Sequence, residues 1–389
     1  MKKRILVVSK TFYPINSPRS FRATELVREF SRQGHDVTVL TVRNDGVHDT
    51  FEKNYGVKIL PLGRLRFGSF DISNGGRVVT LVKRIVNRVL NLLFEYPDIQ
   101  LMFMVRNALK REGGYDLLIS IAVPHPVHWG TAWAVASNAA IAKTWVADCG
   151  DPYMGEKTDS FRKLFYFKYF EKWFCRKADF VAITNLNMKD NYYPEFHHKI
   201  VEITQGFNFE ETTGRLPTYK PNGKPTFAYA GTFIPGARDP SAFLTFLVES
   251  DFDFRFLIYT PQRHIVQPFV ERGKGRIEIM DLVPRTELLK ILRTMDFLVN
   301  ISFDVKVQSP SKLIDYYLVG RPVLSLQSNE VSSKVITKFL HGDYTDHFVF
   351  HDYEKFRIEH VCSQFLELGK DVKPFQKSIA EWYEPQRAY

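Results

Sequence analysis

The sequence predicts an α/β protein of two successive domains, each a parallel sheet with helices on both faces. Three observations predict it. Short apolar strands alternate with helical segments along nearly the whole chain. The length, 389 residues, is more than one ordinary core absorbs. A stretch rich in Gly, Thr, Pro and Asn at 205–225 divides the strands into two series.

The first series opens with a strand at 5–9 and passes through Tyr13-Pro14-Ile15-Asn16-Ser17-Pro18 into a helix at 19–33. Gly34-His35 closes that helix, and a strand at 36–41 follows. Further strands fall at 116–121, 144–148, 179–184 and 199–204. The second series has strands at 226–230, 254–259, 276–280, 296–301 and 322–326, with helices at 240–249, 285–294 and 312–319. The domains read as 1–205 and 206–372, with a closing stretch at 373–389.

Composition narrows the setting. No stretch approaches the roughly 18 apolar residues of a membrane span. The start, Met1-Lys2-Lys3-Arg4 then Ile5-Leu6-Val7-Val8, reads as a first strand, its apolar run being too short for a signal peptide. Cys149, Cys175 and Cys362 are odd in number, scattered and without metal spacing, which points to a reducing cytosol and away from a disulfide or zinc framework. The net charge is +10, and residues 1–205 hold 30 Lys and Arg against 20 Asp and Glu. A basic half beside a neutral one suits an anionic surface, either nucleic acid or acidic lipid.

The richest block is Ser309-Pro310-Ser311-Lys312-Leu313-Ile314-Asp315-Tyr316, followed by Gly320-Arg321-Pro322 and a buried strand. Pro belongs in a helix's first turn, and the N–H groups there favour an anion. Lys312 adds a positive charge, and Asp315, one turn on, can accept hydrogen bonds from two vicinal hydroxyls such as a ribose presents. The plain alternative is a capped helix of an α/β sheet.

Further along, Ala228-Tyr229-Ala230-Gly231-Thr232-Phe233 joins this block, the opening Ile5-Leu6-Val7-Val8-Ser9-Lys10 with Tyr13-Pro14, and Leu26-Val27-Arg28-Glu29-Phe30 with Gly34-His35-Asp36. In this order, over nearly the whole chain, these pieces resemble a GT-B fold glycosyltransferase, most similar to glycosyltransferase family 4. The resemblance implies two Rossmann-like β/α/β domains facing each other across a cleft. It implies an acceptor-binding first domain, onto which the closing helix packs back, and a second domain that binds a nucleotide-diphosphate sugar of UDP or GDP type.

Carried over, the resemblance places Gly231, Arg238 and Lys312 near the diphosphate, Leu282 and Val283 near the base, and Asp315 at the ribose, with Ser309, Ser311 and Leu313 as further donor-binding candidates. A surface Arg beside Asp239-Pro240 is the alternative for Arg238. Asp315 stands where the second Glu of the family's Glu-x7-Glu motif falls, and Val307 stands where the first would be. Asp304, Lys306 and Gln308 surround that gap, which leaves the donor sugar unspecified. The family's Gly-Gly after the first strand is replaced by Asn16-Ser17-Pro18-Arg19, so Ser17 and Arg19 are the first-domain candidates for the diphosphate.

For the acceptor, Asp148-Cys149-Gly150-Asp151 ends a strand where the family places a functional polar residue. Asp151 is the candidate to orient or deprotonate a hydroxyl, and Asp148 either shares that task or caps the turn. A structural Asx-turn is the alternative. His125, in Pro124-His125-Pro126-Val127-His128, is a candidate proton handler, with a structural role as its alternative. Asp251-Phe252-Asp253 and Gly273–Gly275 read as loops, not as a metal motif or a dinucleotide fingerprint.

The basic half finds a use in Arg77–Phe94, where Val78, Val82, Ile85, Val89 and Leu92 share a helical stripe and Lys83, Arg84 and Arg88 fall largely off it. A second segment, 161–174, mixes Arg162, Lys163, Lys168 and Lys172 with aromatic residues. Such helices can lie in a membrane interface, and a core-packed helix with a solvated charged face is the alternative.

The expected protein is therefore a cytoplasmic transferase associated with the inner face of the plasma membrane. It moves a sugar to a glycan or polyprenyl-diphosphate-linked acceptor in bacterial surface-polysaccharide synthesis, retaining and without a metal or cofactor. The alternatives are a nucleotide-sugar 2-epimerase and a non-catalytic sugar-nucleotide-binding protein. A nicotinamide oxidoreductase lacks its glycine fingerprint here, and a nucleic-acid binder lacks a recognisable motif.

Overall fold

The computed structural model describes residues 1–69, 76–155, 162–214, 216–236, 238–302, 311–328 and 331–368. They fall into two compact units, Met1–Phe207 with the chain from Ile358 onward, and Asn208–Arg357.

In the first unit the elements run β1 (Arg4–Ser9), α1 (Pro18–Arg32), β2 (Asp36–Thr41), α2 (Val47–Tyr55), β3 (Lys58–Pro61), α3 (Arg77–Phe94), α4 (Gln100–Leu109) and β4 (Tyr115–Ile121). They continue as α5 (Pro126–Ser137), β5 (Ala142–Cys149), α6 (Phe167–Lys177), β6 (Phe180–Ile183) and β7 (Ile200–Glu202). The strands form one sheet in the order β3-β2-β1-β4-β5-β6-β7, and all pairings are parallel.

Alternation along the strands feeds two cores. Leu6, Val8 and Leu118 face one with Trp129 and Trp145, while Ile5, Val7, Leu117 and Ile119 face the other with Phe30. Burial on both faces is what an all-parallel sheet requires. Ser17 caps α1, its hydroxyl accepting from the Ser20 N–H at 3.2 Å.

The second unit runs α7 (Phe209–Thr213), β8 (Thr226–Ala230), α8 (Ser241–Glu249), β9 (Arg255–Tyr259), α9 (Arg263–Arg272), β10 (Ile277–Met280), α10 (Arg285–Arg293), β11 (Phe297–Ser302), α11 (Ser311–Val319), β12 (Val323–Gln327) and α12 (Ser333–Leu340). Its sheet has the order β10-β9-β8-β11-β12, again all parallel. Phe227, Tyr229 and Val299 face one core, and Ala228, Leu298 and Tyr316 the other.

The last described helix, α13 (Ile358–Leu368), belongs to the first unit. Its Ile358, Val361, Cys362 and Phe365 join Leu26, Val27 and Phe30 in one core. The Ile358 N–H donates to Phe207 O at 3.0 Å, and a Cβ on Gly206 would meet Ile358 Cδ1 at 2.5 Å. The chain therefore returns at Ile358, earlier than the boundary at 372/373 read from the sequence, because this apolar face needs the α1 surface. The stretch 373–389 lies outside the described residues.

Candidate functional site

In each sheet the connections run in opposite directions from one pair of neighbouring strands, β1/β4 in the first unit and β8/β11 in the second. Such a switch point opens a crevice beyond the strands' carboxyl ends, where ligands bind in open α/β sheets.

At the second unit's switch point β8 ends in Gly231, whose φ of +153° suits glycine and whose N–H donates to Tyr259 O at 3.0 Å. Its missing Cβ leaves a gap facing Tyr229 Oη at 3.2 Å and Lys312 Cδ at 3.6 Å. Lys312, in the first turn of α11, places Nζ 4.5 Å from the centre of the Tyr229 ring. That Nζ is buried and has no hydrogen-bond partner among the described residues. Burial pushes the ammonium down to about 7, and the nearby Arg238 adds to the shift. A buried cation without a counter-ion is costly.

One turn on, Asp315 Oδ1 accepts from Arg285 Nε at 2.9 Å and from Nη2 at 2.6 Å. Burial pushes the Asp315 carboxyl up, and Arg285 opposes the shift. Tyr316 fixes the helix beneath: its hydroxyl accepts from the Ala230 N–H at 3.0 Å and donates to Val299 O at 3.2 Å, holding α11 against both switch-point strands.

Arg238 is seated by a short antiparallel bridge, its N–H donating to Ile234 O at 2.7 Å. Leu282 is exposed in the loop after β10, at the same carboxyl end of the sheet. Val283 and Leu313 pack against a shared core. Gly231, Arg238, Lys312, Leu313, Asp315, Leu282 and Val283 thus all lie in this unit at one end of its sheet. Ser309, Pro310 and Val307 lie outside the described residues, as does the side chain of Ser311.

At the first unit's switch point Arg19 stands in the first turn of α1 and lies across Gly150, where a Cβ would fall 1.2 Å from Arg19 Nη2. Burial lowers the Arg19 guanidinium, opposed chiefly by Asp148. Asp148 is itself fully buried and accepts from Arg22 Nε at 2.5 Å and Nη2 at 2.9 Å. Arg22 also donates to Thr204 O and Ile203 O at 2.7 and 3.0 Å.

Both Asp148 oxygens are thus held by Arg22, and the pair ties α1 to the ends of β5 and β7. Asp151, three residues on, is exposed just past the strand end.

His125 is buried, its Nε2 without a partner among the described residues. Burial, then Lys163 and Arg19, push it down to about 3, while a hydrogen bond with the Asp151 backbone opposes them. The imidazole is therefore held neutral at neutral pH by its burial. His128 is enclosed: Trp145 Nε1 donates to Ser120 Oγ at 2.8 Å, and Ser120 Oγ and Cys149 Sγ flank its two ring nitrogens at 2.8 and 3.4 Å.

Sequence reasoning missed Arg22, Arg285 and Tyr316. No local motif marks the two arginines, whose carboxylates lie 126 and 30 residues away. Tyr316 did carry a signal, an aromatic hydroxyl at a core-facing helical position. The cysteines are all free and buried, and no His, Cys, Asp and Glu cluster suited to a metal occurs among the described residues.

No protein-family model and no curated protein matches the sequence. Solved structures do resemble the fold. A glycosyltransferase from Rickettsia africae superposes with a TM-score of 0.60 at 13% identity, over 97% of this chain and 100% of that one. Staphylococcus aureus TarM, in complex with fondaparinux, α-GlcNAc-glycerol and UDP, gives 0.58 at 11% identity, over 95% and 100%. Anabaena HepE in complex with UDP gives 0.55 at 11%, over 94% and 99%. At such identities the likeness is one of architecture, and with two all-parallel, doubly wound sheets the chain has the two-domain GT-B fold.

Proposed function

We propose that the protein is a glycosyltransferase that moves a sugar from a nucleotide-diphosphate sugar to a hydroxyl of a glycan or lipid-linked acceptor. One observation carries the reading: the buried Lys312 Nζ at the second switch point, without a hydrogen-bond partner among the described residues, beside Gly231 and near Arg238. A cation held there at a cost is explained by an anion that completes it. The UDP in TarM and HepE, proteins of the same fold, supports a nucleoside diphosphate as that anion.

In this reading Lys312 and Arg238 grip the diphosphate, Gly231 admits it close to the backbone, and the first-turn N–H groups of α11 add their dipoles. Asp315, oriented by Arg285, accepts from the ribose hydroxyls, and Leu282 and Val283 flank the base. As the glycosidic bond breaks, negative charge grows on the leaving diphosphate, and pre-placed cations stabilise that charge most. The acceptor belongs to the first unit, where Asp151 is the exposed carboxylate and His125 a neutral hydrogen-bonding group, with Ser17 and Arg19 at the same switch point. The finer reading is a family-4, retaining enzyme of O-antigen, capsule or exopolysaccharide synthesis, working at the inner face of the plasma membrane.

Calorimetric titration with UDP, GDP, CDP and NADH tests the donor class. UDP or GDP is expected to bind and NADH not to. Binding of NADH with no response to any nucleoside diphosphate ends the reading.

A further inference from the structure

Helix α3 is inside out. Its apolar side chains point to solvent: Val78 is 74% exposed, Ile85 53% and Phe94 58%, with Val79, Leu81, Val82, Val86, Val89 and Leu93 exposed as well. Thr80, Lys83, Asn87, Arg88 and Asn91 are half-covered, as are Leu90 and Leu92, while Arg84 is exposed. No described side chain of the helix is buried. At 100° per residue, Leu81, Leu92, Ile85, Val78, Val89, Val82, Leu93, Val86 and Val79 fill an arc of about 160°. A water-soluble surface helix turns such an arc inward.

We propose that this face lies in the headgroup–acyl boundary of an anionic bilayer as an in-plane anchor. It deepens the membrane reading above, on which it rests for its setting. The charge pattern selects the occupant. Arg77, Lys83, Arg84 and Arg88 stand on a helix with no acidic residue, and Lys83 and Arg84 lie outside the two edges of the apolar arc. Cations flanking an apolar face fit anionic headgroups above acyl chains. Against a second copy of this chain, the same face would bring two sets of like charges together.

At a rise of 1.5 Å per residue the 18-residue helix offers an apolar strip about 27 Å long. No helix among the described residues is long and apolar enough to cross a membrane, so the strip lies along the surface.

The strip extends at its carboxyl end. The Tyr166 hydroxyl bonds Leu93 O, and Lys163 pairs with Glu95, which brings Phe165, 71% exposed, beside it. Phe67, also exposed, packs on the Tyr96 ring at 6.2 Å. The rest of the expected basic segment 161–174 behaves otherwise. Phe167, Glu171 and Phe174 are buried in the core, so α6 is an inward-facing helix whose aromatic residues fill space under Trp129. Phe161 lies outside the described residues.

Flotation of the full chain with phosphatidylcholine vesicles, with and without phosphatidylglycerol, tests the anchor and needs neither donor nor acceptor. Its failure is therefore distinct from failure of the nucleotide titration. The wild type should float with phosphatidylglycerol vesicles and be released by high salt. Lys83→Gln, Arg84→Gln and Arg88→Gln together should lower partitioning about a hundredfold, each charge being worth about a factor of five. Ile85→Asp with Val89→Asp should abolish flotation, and Ile85→Leu should retain it. Since Ile85 and Val89 are exposed, the Asp and Leu variants should keep the wild-type melting temperature. Wild type that stays off anionic vesicles at low salt overturns the proposal. So does an Asp variant that floats as well as wild type, or a wild-type dimer that the Asp variant splits while neither form floats.

Discussion

The two switch points hold buried cations in opposite situations. In the first unit Arg22 is buried, but Asp148 takes it bidentately and two backbone carbonyls accept two more of its donors. In the second Lys312 is buried with nothing to receive its protons among the described residues. The first arrangement is complete without a ligand and holds the unit together. The second carries a penalty until an anion arrives. Burial alone therefore does not distinguish a structural charge from a functional one; the presence or absence of partners does.

Breaking the complete cluster should cost most. Arg22→Leu strands a buried carboxylate, and such a loss destabilises by about 3–5 kcal/mol. Urea unfolding should show it as a lowered midpoint. A midpoint within error of wild type would mean the pair is idle, and the contrast between the units would fail.

Lys312→Met should do the reverse. Removing an amine that has no hydrogen-bond partner among the described residues leaves the urea midpoint equal or higher, while UDP affinity falls by about 2 kcal/mol, the worth of a charged hydrogen bond. Calorimetry and unfolding on the same sample read both. A drop in stability with unchanged affinity would make Lys312 the structural residue of the two.

A third prediction concerns pH. The free protein holds Lys312 at about 7, below its ordinary value near 10.5. Between those values the unfolded chain binds the proton that the folded one has lost, so this residue's contribution to stability rises with pH across that window. A bound diphosphate favours the charged amine, so binding takes up a proton. UDP affinity should then fall as pH rises above about 7, by at most about tenfold per unit. A flat profile from pH 6 to 9, measured by titration, would remove the lysine from the contact.

The smallest effect belongs to Asp315→Asn. Losing the ribose acceptor should weaken UDP by roughly 1 kcal/mol and leave inorganic pyrophosphate unchanged. Equal losses for both ligands would place Asp315 at the phosphates instead.

Much of this was legible in the sequence, and the misses have physical causes. The strands at 36–41 and 226–230 and the helix Arg77–Phe94 have the bounds that their apolar patterning predicts. Lys312 and Asp315 stand together because one helical turn places them so, and Gly231 ends the neighbouring strand. The short strand Lys58–Pro61, at the sheet's edge, offered too few apolar residues to register.

Asp148 is legible as a site candidate because an acid at a strand's carboxyl end often is one. Its arginine is not legible, because it comes from a different element and pairing of that kind is tertiary. Amphipathic spacing in α3 identified a face but not which way it turns. That depends on what the rest of the unit already covers.

The most direct test of the central claim is UDP titration of wild type and Lys312→Met at pH 8 in two buffers of different ionisation enthalpy. The account predicts net proton uptake on binding to wild type, and weaker binding without that uptake in the variant. Equal affinity in the two proteins, with no proton exchanged by either, would contradict it.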